Sequence, residues 1–202
     1  MAAADPVMAV LIERIGAMDL ETRLRRRAEQ RPADPYGALL RAIVGQQLST
    51  KAARTIHQRV LELFDGAEPT PEQLLAVDEE ALRGAGLSGR KVSYLRDLAS
   101  HVLNGELELD RLGELSDEEA IEEIVAVRGL GRWTAEMFLL FHLRRPDVTS
   151  AGDLGLRKAV HIEYGLEKLP APAEFLEIAE RWRPHRSLAS LYLWESLAAA
   201  PQ

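Results

Sequence analysis

The polar and apolar positions of this chain fall into short runs set off by helix caps, and they predict helices almost throughout. Asp5-Pro6 and Asp34-Pro35 each offer an N-cap followed by proline at the first helical position, and Ser49 and Ser88 offer further caps. Thr70-Pro71-Glu72-Gln73 opens another short helix, and Ser116-Asp117-Glu118-Glu119 is a capping box that starts a helix reaching about Val127. Stops follow at Gly16, Gly66 and Gly105. Trp133 to Leu143 reads as a helix, and from Leu154 the pattern is helical again, with Leu154, Leu156, Val160 and Ile162 apolar. No strand alternation runs for a useful length, so the expected fold is all-α, with roughly ten helices joined by short loops.

Between two of these helices lies Val127-Arg128-Gly129-Leu130-Gly131-Arg132-Trp133-Thr134-Ala135. Gly129 and Gly131 can take backbone angles closed to other residues and let the main chain approach a ligand, and the N–H groups opening the next helix point at anions. A DNA phosphate would fit there. A Gly-x-Gly is also an ordinary way to reverse direction between helices, with the first glycine as a C-cap. The loop from Arg144 to Gly152 then delivers Asp153 to a helix entrance, where an aspartate is a common N-cap worth about 0.5–2 kcal/mol.

On this hairpin, loop and lone carboxylate, the sequence resembles the helix-hairpin-helix DNA glycosylases, and within them the 3-methyladenine DNA glycosylase II group. The likeness covers most of the chain. Leu40-Arg41-Ala42-Ile43-Val44-Gly45-Gln46-Gln47-Leu48-Ser49-Thr50-Lys51-Ala52-Ala53 looks like the segment that enters the DNA. Gly89 to Ala99 resembles the helix packed beside the hairpin, and Trp182-Arg183-Pro184-His185-Arg186-Ser187, ahead of an apolar closing helix, looks like a fourth match.

The resemblance implies two helical lobes with DNA across the cleft between them. Residues 35–145 form a central lobe with the helix-hairpin-helix at about 117–143, and residues 1–34 plus 146–202 form the second. The larger family member carries an N-terminal β-domain, which looks absent here. The implied reaction is hydrolysis of the N-glycosidic bond of an alkylated purine in base excision repair, after the base is flipped out of damaged double-stranded DNA. Asp153 becomes the catalytic residue: helix N–H groups favour its ionised form, and a fixed anion is what a cationic sugar transition state needs nearby.

The same resemblance assigns DNA contacts to Arg128, Gly129, Gly131, Arg132 and Thr134 of the hairpin and to Gln47, Leu48, Ser49 and Lys51 upstream. Gln47 or Leu48 would intercalate and Ser49 would probe base edges. Read as structure alone, Leu48 is core, Gln46 caps a helix end and Ser49 is an N-cap. Trp133 stands where bifunctional relatives carry a Schiff-base lysine, so strand cleavage is not expected. It lines the base pocket with Met137 and His185, or else it is a core aromatic. Met137 and His185 replace a tyrosine and a tryptophan of the larger relative. Relatives hold a monovalent cation through hairpin carbonyls, here those of Val125, Val127 and Leu130, which implies Na+ or K+ and no required cofactor. The rival readings are a glycosylase for an oxidised or deaminated base, and a DNA-binding helix-hairpin-helix module without catalysis.

At 202 residues and 47% hydrophobic content the chain can bury a core, and its aromatic content of 5% beside abundant Ala, Leu, Glu and Arg favours helices. With no cysteine, disulfides, thiolate zinc sites and thiolate-held iron–sulfur clusters are excluded, so no redox cofactor is expected. The N-terminus lacks a basic region before an apolar stretch, and no segment is apolar for the length of a membrane helix. A cytoplasmic monomer follows, at the nucleoid in a bacterium. The net charge of −7 argues mildly against nucleic acid. Distribution matters more: acidic residues gather near expected helix N-termini, and basic ones at Arg41, Lys51, Arg54, Arg90, Lys91, Arg128, Arg132, Arg144, Arg145, Arg157 and Lys158. Singly, each suits a solvated, salt-bridged surface.

Overall fold

The structure, a computed structural model, describes residues 5–30 and 34–199. In chain order the helices are α1 (Pro6–Ile15), α2 (Leu20–Gln30), α3 (Pro35–Gly45), α4 (Thr50–Glu62), α5 (Pro71–Ala76), α6 (Glu79–Gly84), α7 (Gly89–Leu103), α8 (Asp117–Ala126), α9 (Arg132–Phe141), α10 (Leu154–Glu163), α11 (Pro172–Ala179) and α12 (Arg186–Ala199). Two 3-10 turns, Arg111–Gly113 and Glu180–Trp182, complete the set, and there is no strand among the described residues. The protein is all-α. Helices outnumber the expectation because pieces as short as α6, at 6 residues, carry too little periodicity to be read from sequence.

The caps explain where the helices begin. Asp5, Asp34, Ser49, Thr70, Ser88, Ser116 and Asp153 each accept a hydrogen bond from the first turn of the helix that follows. Thr70 and Ser116 form full capping boxes with Gln73 and Glu119.

The chain divides into two compact units, Met1–Arg31 with Leu139–Gln202, and Pro32–Phe138, the exchange falling inside α9. In the first, Met8, Leu11, Leu156, Val160, Phe175, Trp182 and Tyr192 meet in one buried cluster. Of the four apolar positions expected to mark α10, Leu156 and Val160 are buried, whereas Leu154 and Ile162 are 51% and 60% exposed. At about 100° per residue, a two-residue offset from the buried pair puts both on the opposite side of the helix. A polar thread runs through this core. Asp5 is fully buried, its Oδ1 accepting from the N–H groups of Val7 (3.0 Å) and Met8 (3.2 Å) and its Oδ2 from the Tyr164 hydroxyl (2.6 Å). The Trp182 indole N–H donates to the same hydroxyl at 2.9 Å. Burial, then Asp5, pushes the Tyr164 phenol well above its ordinary pKa.

In the second unit α3 supplies the buried Leu39, Leu40, Ile43 and Val44 and packs on α7, whose Leu95 and Leu98 are buried too. Its helix ends are closed by side chains of α7. Arg96 donates to the carbonyls of Leu75 (3.2 Å) and Val77 (2.8 Å), and Lys91 Nζ to that of Val44 (2.7 Å) at the end of α3.

Asp5→Ala deletes a cap and leaves Tyr164 without its acceptor, so it should cost about 2–4 kcal/mol by urea unfolding. Asp5→Asn, which can still cap, should cost less. A loss near zero for alanine would show that this thread does not hold α1 in place.

Candidate nucleic-acid interface and carboxylate site

The glycine hairpin lies in the Pro32–Phe138 unit and is shaped by residues outside it. Helix α8 ends at Ala126 with Val127 as its C-cap, and the chain reaches Gly129 at φ +88°, a left-handed angle that favours glycine. A Cβ there would also fall 2.2–2.6 Å from carbons of the Tyr94 ring. Asp97 accepts from the Arg128 backbone N–H and from its guanidinium Nε, each at 2.8 Å. Burial pushes the Asp97 carboxyl up, but the two Arg128 donors outweigh it and hold it below the usual carboxylate range. Tyr94 and Asp97, three residues apart on α7, thus form the bed of the hairpin, while Lys91 one turn earlier binds the end of α3. From the turn after α3, Gln46 Nε2 donates to the Gly129 carbonyl at 2.6 Å.

Gly131 differs from Gly129. Its φ is not left-handed and a Cβ would meet nothing within 4 Å, so only one of the two glycines uses the backbone freedom expected of both. Its carbonyl accepts from Ala135 N–H at 3.1 Å as α9 begins, and without a side chain it leaves that helix entrance uncovered.

The upstream turn presents two side chains outward. Gln47 sits at φ +56° with its side chain exposed, and Leu48 is 37% exposed rather than core. A non-glycine residue at positive φ costs on the order of 1 kcal/mol and is held only where its surroundings require it. Gln46 turns inward instead. Ser49 caps α4 through Ala52 N–H (3.3 Å), and Lys51 is exposed on the next turn.

The hairpin arginines are ion-paired. Arg132 makes two bonds to Glu118 (2.6 and 2.8 Å) and one to Glu136 (3.0 Å), and Arg128 pairs with Asp97. The Arg132 bonds lower the Glu118 pKa. Thr134 is buried in the first turn of α9, Trp133 is 47% exposed and so is not a core aromatic, and Met137, one turn on, is half-buried.

Asp153 and His185 belong to the other unit. Asp153 heads α10, where its Oδ1 accepts from Leu156 N–H (2.8 Å) and from the indole N–H of Trp194 in α12 (3.1 Å). The preceding loop is laced to the start of α12. Asp147 receives Arg183 and Arg186, and the Ser187 hydroxyl accepts from Val148 N–H (3.0 Å) and donates to the Arg145 carbonyl (2.6 Å). Thr149 and Ser190 hydroxyls bond at 2.9 Å. His185 is exposed at the head of α12.

Sequence reasoning placed Tyr94 and Asp97 only within the helix beside the hairpin, without a role, and it did not find Gly155 or Trp194, nor the inward role of Gln46. The three-residue spacing of Tyr94 and Asp97 within that helix was a usable signal for the bed. Nothing local marks Trp194, which stands 41 residues from the carboxylate it touches.

The pattern of HhH-GPD superfamily base excision DNA repair proteins matches residues 40–184, which include the turn, the hairpin and Asp153. DNA-3-methyladenine glycosylase 1 of Schizosaccharomyces pombe is 38% identical over 165 residues, 81% of this chain and 72% of that protein. Among solved structures, DNA-3-methyladenine glycosidase from Bacillus halodurans has a TM-score of 0.78 at 36% identity, covering 96% of this chain and 90% of the other. The S. pombe 3-methyladenine DNA glycosylase in complex with abasic DNA has a TM-score of 0.81 at 33% identity, covering 97% and 93%.

Gly129→Ala should lower the thermal midpoint, because the Cβ meets the Tyr94 ring and the backbone angle is wrong for alanine. Gly131→Ala should leave it unchanged. Equal midpoints for the two variants would mean that Tyr94 does not support the hairpin.

Proposed function

We propose that this chain, which belongs to the HhH-GPD superfamily of base excision DNA repair proteins, hydrolyses the N-glycosidic bond of alkylated purines of the 3-methyladenine type and leaves an abasic site. It is a DNA glycosylase for alkylated bases, as the names of its relatives support. The carrying observation is a carboxylate, Asp153, pinned by two N–H donors at a helix head. An alkylated base with a formal positive charge leaves as a neutral molecule, so the developing cation is on the sugar. Asp153 stabilises that cation, and water adds at the anomeric carbon, its proton passing to the Asp153 carboxylate and from there to solvent.

The DNA grip comes from the hairpin and the turn. The N–H groups opening α9 meet a phosphate, and Gly131 lets the strand come close. Arg132 and Glu118 are 57% and 58% exposed, and exposed ion pairs are worth about 0–1 kcal/mol, so a phosphate can draw that guanidinium from Glu118 at small cost, whereas Arg128, itself exposed, pairs with the largely buried Asp97. Thr134 and Lys51 sit in the first turns of the helices that follow the hairpin and the turn. Gln47 and Leu48 fill the stack once the base has left it. Trp133 and Met137 on α9 are base-pocket residues of their unit, and His185 is a candidate base contact of the other; a tryptophan offers no amine, so no Schiff base forms there.

The carbonyls of Val125, Val127 and Leu130 are oxygen donors of the kind that suits Na+ or K+. That of Val127, bonded to Leu130 N–H at 3.1 Å, keeps a second lone pair. Such an ion would add positive charge beneath a bound phosphate. Among the described residues no helix is long and apolar enough to cross a membrane. The proposed partner is damaged double-stranded DNA, met in the cytoplasm by a monomer.

Incubation with methylated duplex DNA, followed by chromatography of the released bases, should yield 3-methyladenine and strands that break only on alkaline treatment. Borohydride should trap no protein–DNA adduct. Failure of the folded protein to release any alkylated base would overturn the activity, and a stoichiometric adduct would overturn the monofunctional assignment.

A further inference from the structure

We propose that Trp194 and Gly155 are positioning residues that set the direction of the Asp153 carboxylate; this rests on the reading of Asp153 as the catalytic anion. An N-cap by itself needs one oxygen and one backbone donor. Asp153 has two donors from different helices, Leu156 N–H of α10 at 2.8 Å and the Trp194 indole of α12 at 3.1 Å, and both meet Oδ1. Two bonds to one oxygen fix the plane of the carboxylate, and with it the direction of Oδ2.

The indole is itself held. Its ring stacks on Phe141 with centroids 5.7 Å apart and planes 24° from parallel, and it packs against the buried cluster of its unit. Its N–H therefore cannot follow a carboxylate that swings away.

Gly155 leaves room for this bond. A Cβ there would lie 3.0 Å from Asp153 Oδ1 and 3.4 Å from Trp194 Nε1, crowding donor and acceptor from one side of the bond. Its φ is not left-handed, so backbone conformation does not call for glycine. Glycine is also a poor helix former. Space around the carboxylate is the remaining reason for it.

The test compares two duplexes, one with a cationic pyrrolidine in place of a nucleotide and one with a neutral tetrahydrofuran. Binding of each is measured by fluorescence anisotropy. The ratio of the two affinities reads the anion against a positive charge at the sugar, and it is measurable in variants that turn over nothing. Trp194→Phe, which keeps an aromatic ring against Phe141, and Gly155→Ala should each cut the ratio by about tenfold, the scale of one hydrogen bond to a charged group. Affinity for the neutral duplex should stay put. In an Asp153→Asn background Trp194→Phe should change the ratio no further.

Equal weakening toward both duplexes would mean a structural role and overturn the proposal. So would a wild-type ratio in both variants while Asp153→Asn loses it, an outcome that leaves the catalytic reading intact. If Asp153→Asn keeps the wild-type ratio, the catalytic reading falls and the positioning roles fall with it.

Discussion

The half-buried carboxylate of Asp153 accepts a backbone N–H and an indole N–H on the same oxygen, and much of its unit serves to keep that arrangement in place. The loop before it is tied to the start of α12 by Asp147 with Arg183 and Arg186 and by the Ser187 hydroxyl. Helix α12 also carries Trp194, so the same helix places both the approach to the carboxylate and its second donor. The buried thread of Asp5, Tyr164 and Trp182 joins α1 to α10 and to the turn before α12. A fixed anion needs no reorganisation when positive charge develops beside it, which is where such a site gains over a carboxylate free in water.

In the Pro32–Phe138 unit the same logic serves grip. The hairpin is held from the side of α7 by Tyr94 and Asp97 and from the α3 end by Gln46, so its shape does not wait for a ligand. Gln46 also couples it to the turn that presents Gln47 and Leu48. What faces outward is Gly131, the Arg128 guanidinium and that of Arg132, and the exposed Arg132–Glu118 pair is held weakly enough to change partner.

Much of this was legible in the sequence because it is local. Caps are decided within four residues, and the helix entrances at Asp5, Asp34, Ser49, Thr70, Ser88, Ser116 and Asp153 could be read from it. The rest depends on distant parts of the chain. Gln46 and Gly129 are 83 residues apart, and Asp153 and Trp194 are 41 apart. Even a local pattern misleads where the period is misjudged. Leu154 and Ile162 look like core beside Leu156 and Val160, yet they face away. Ionic partners were equally hidden, since an arginine reads the same whether a phosphate or a neighbouring glutamate receives it.

Single-turnover excision from methylated duplex by wild type and Asp153→Asn, with duplex affinity measured alongside, bears most directly on the central claim. Asparagine keeps the size and the cap and removes the charge. The account predicts that base release falls by about two to three orders of magnitude, as when a main electrostatic group is lost, while affinity for the duplex barely changes. Base release at the wild-type rate would contradict it.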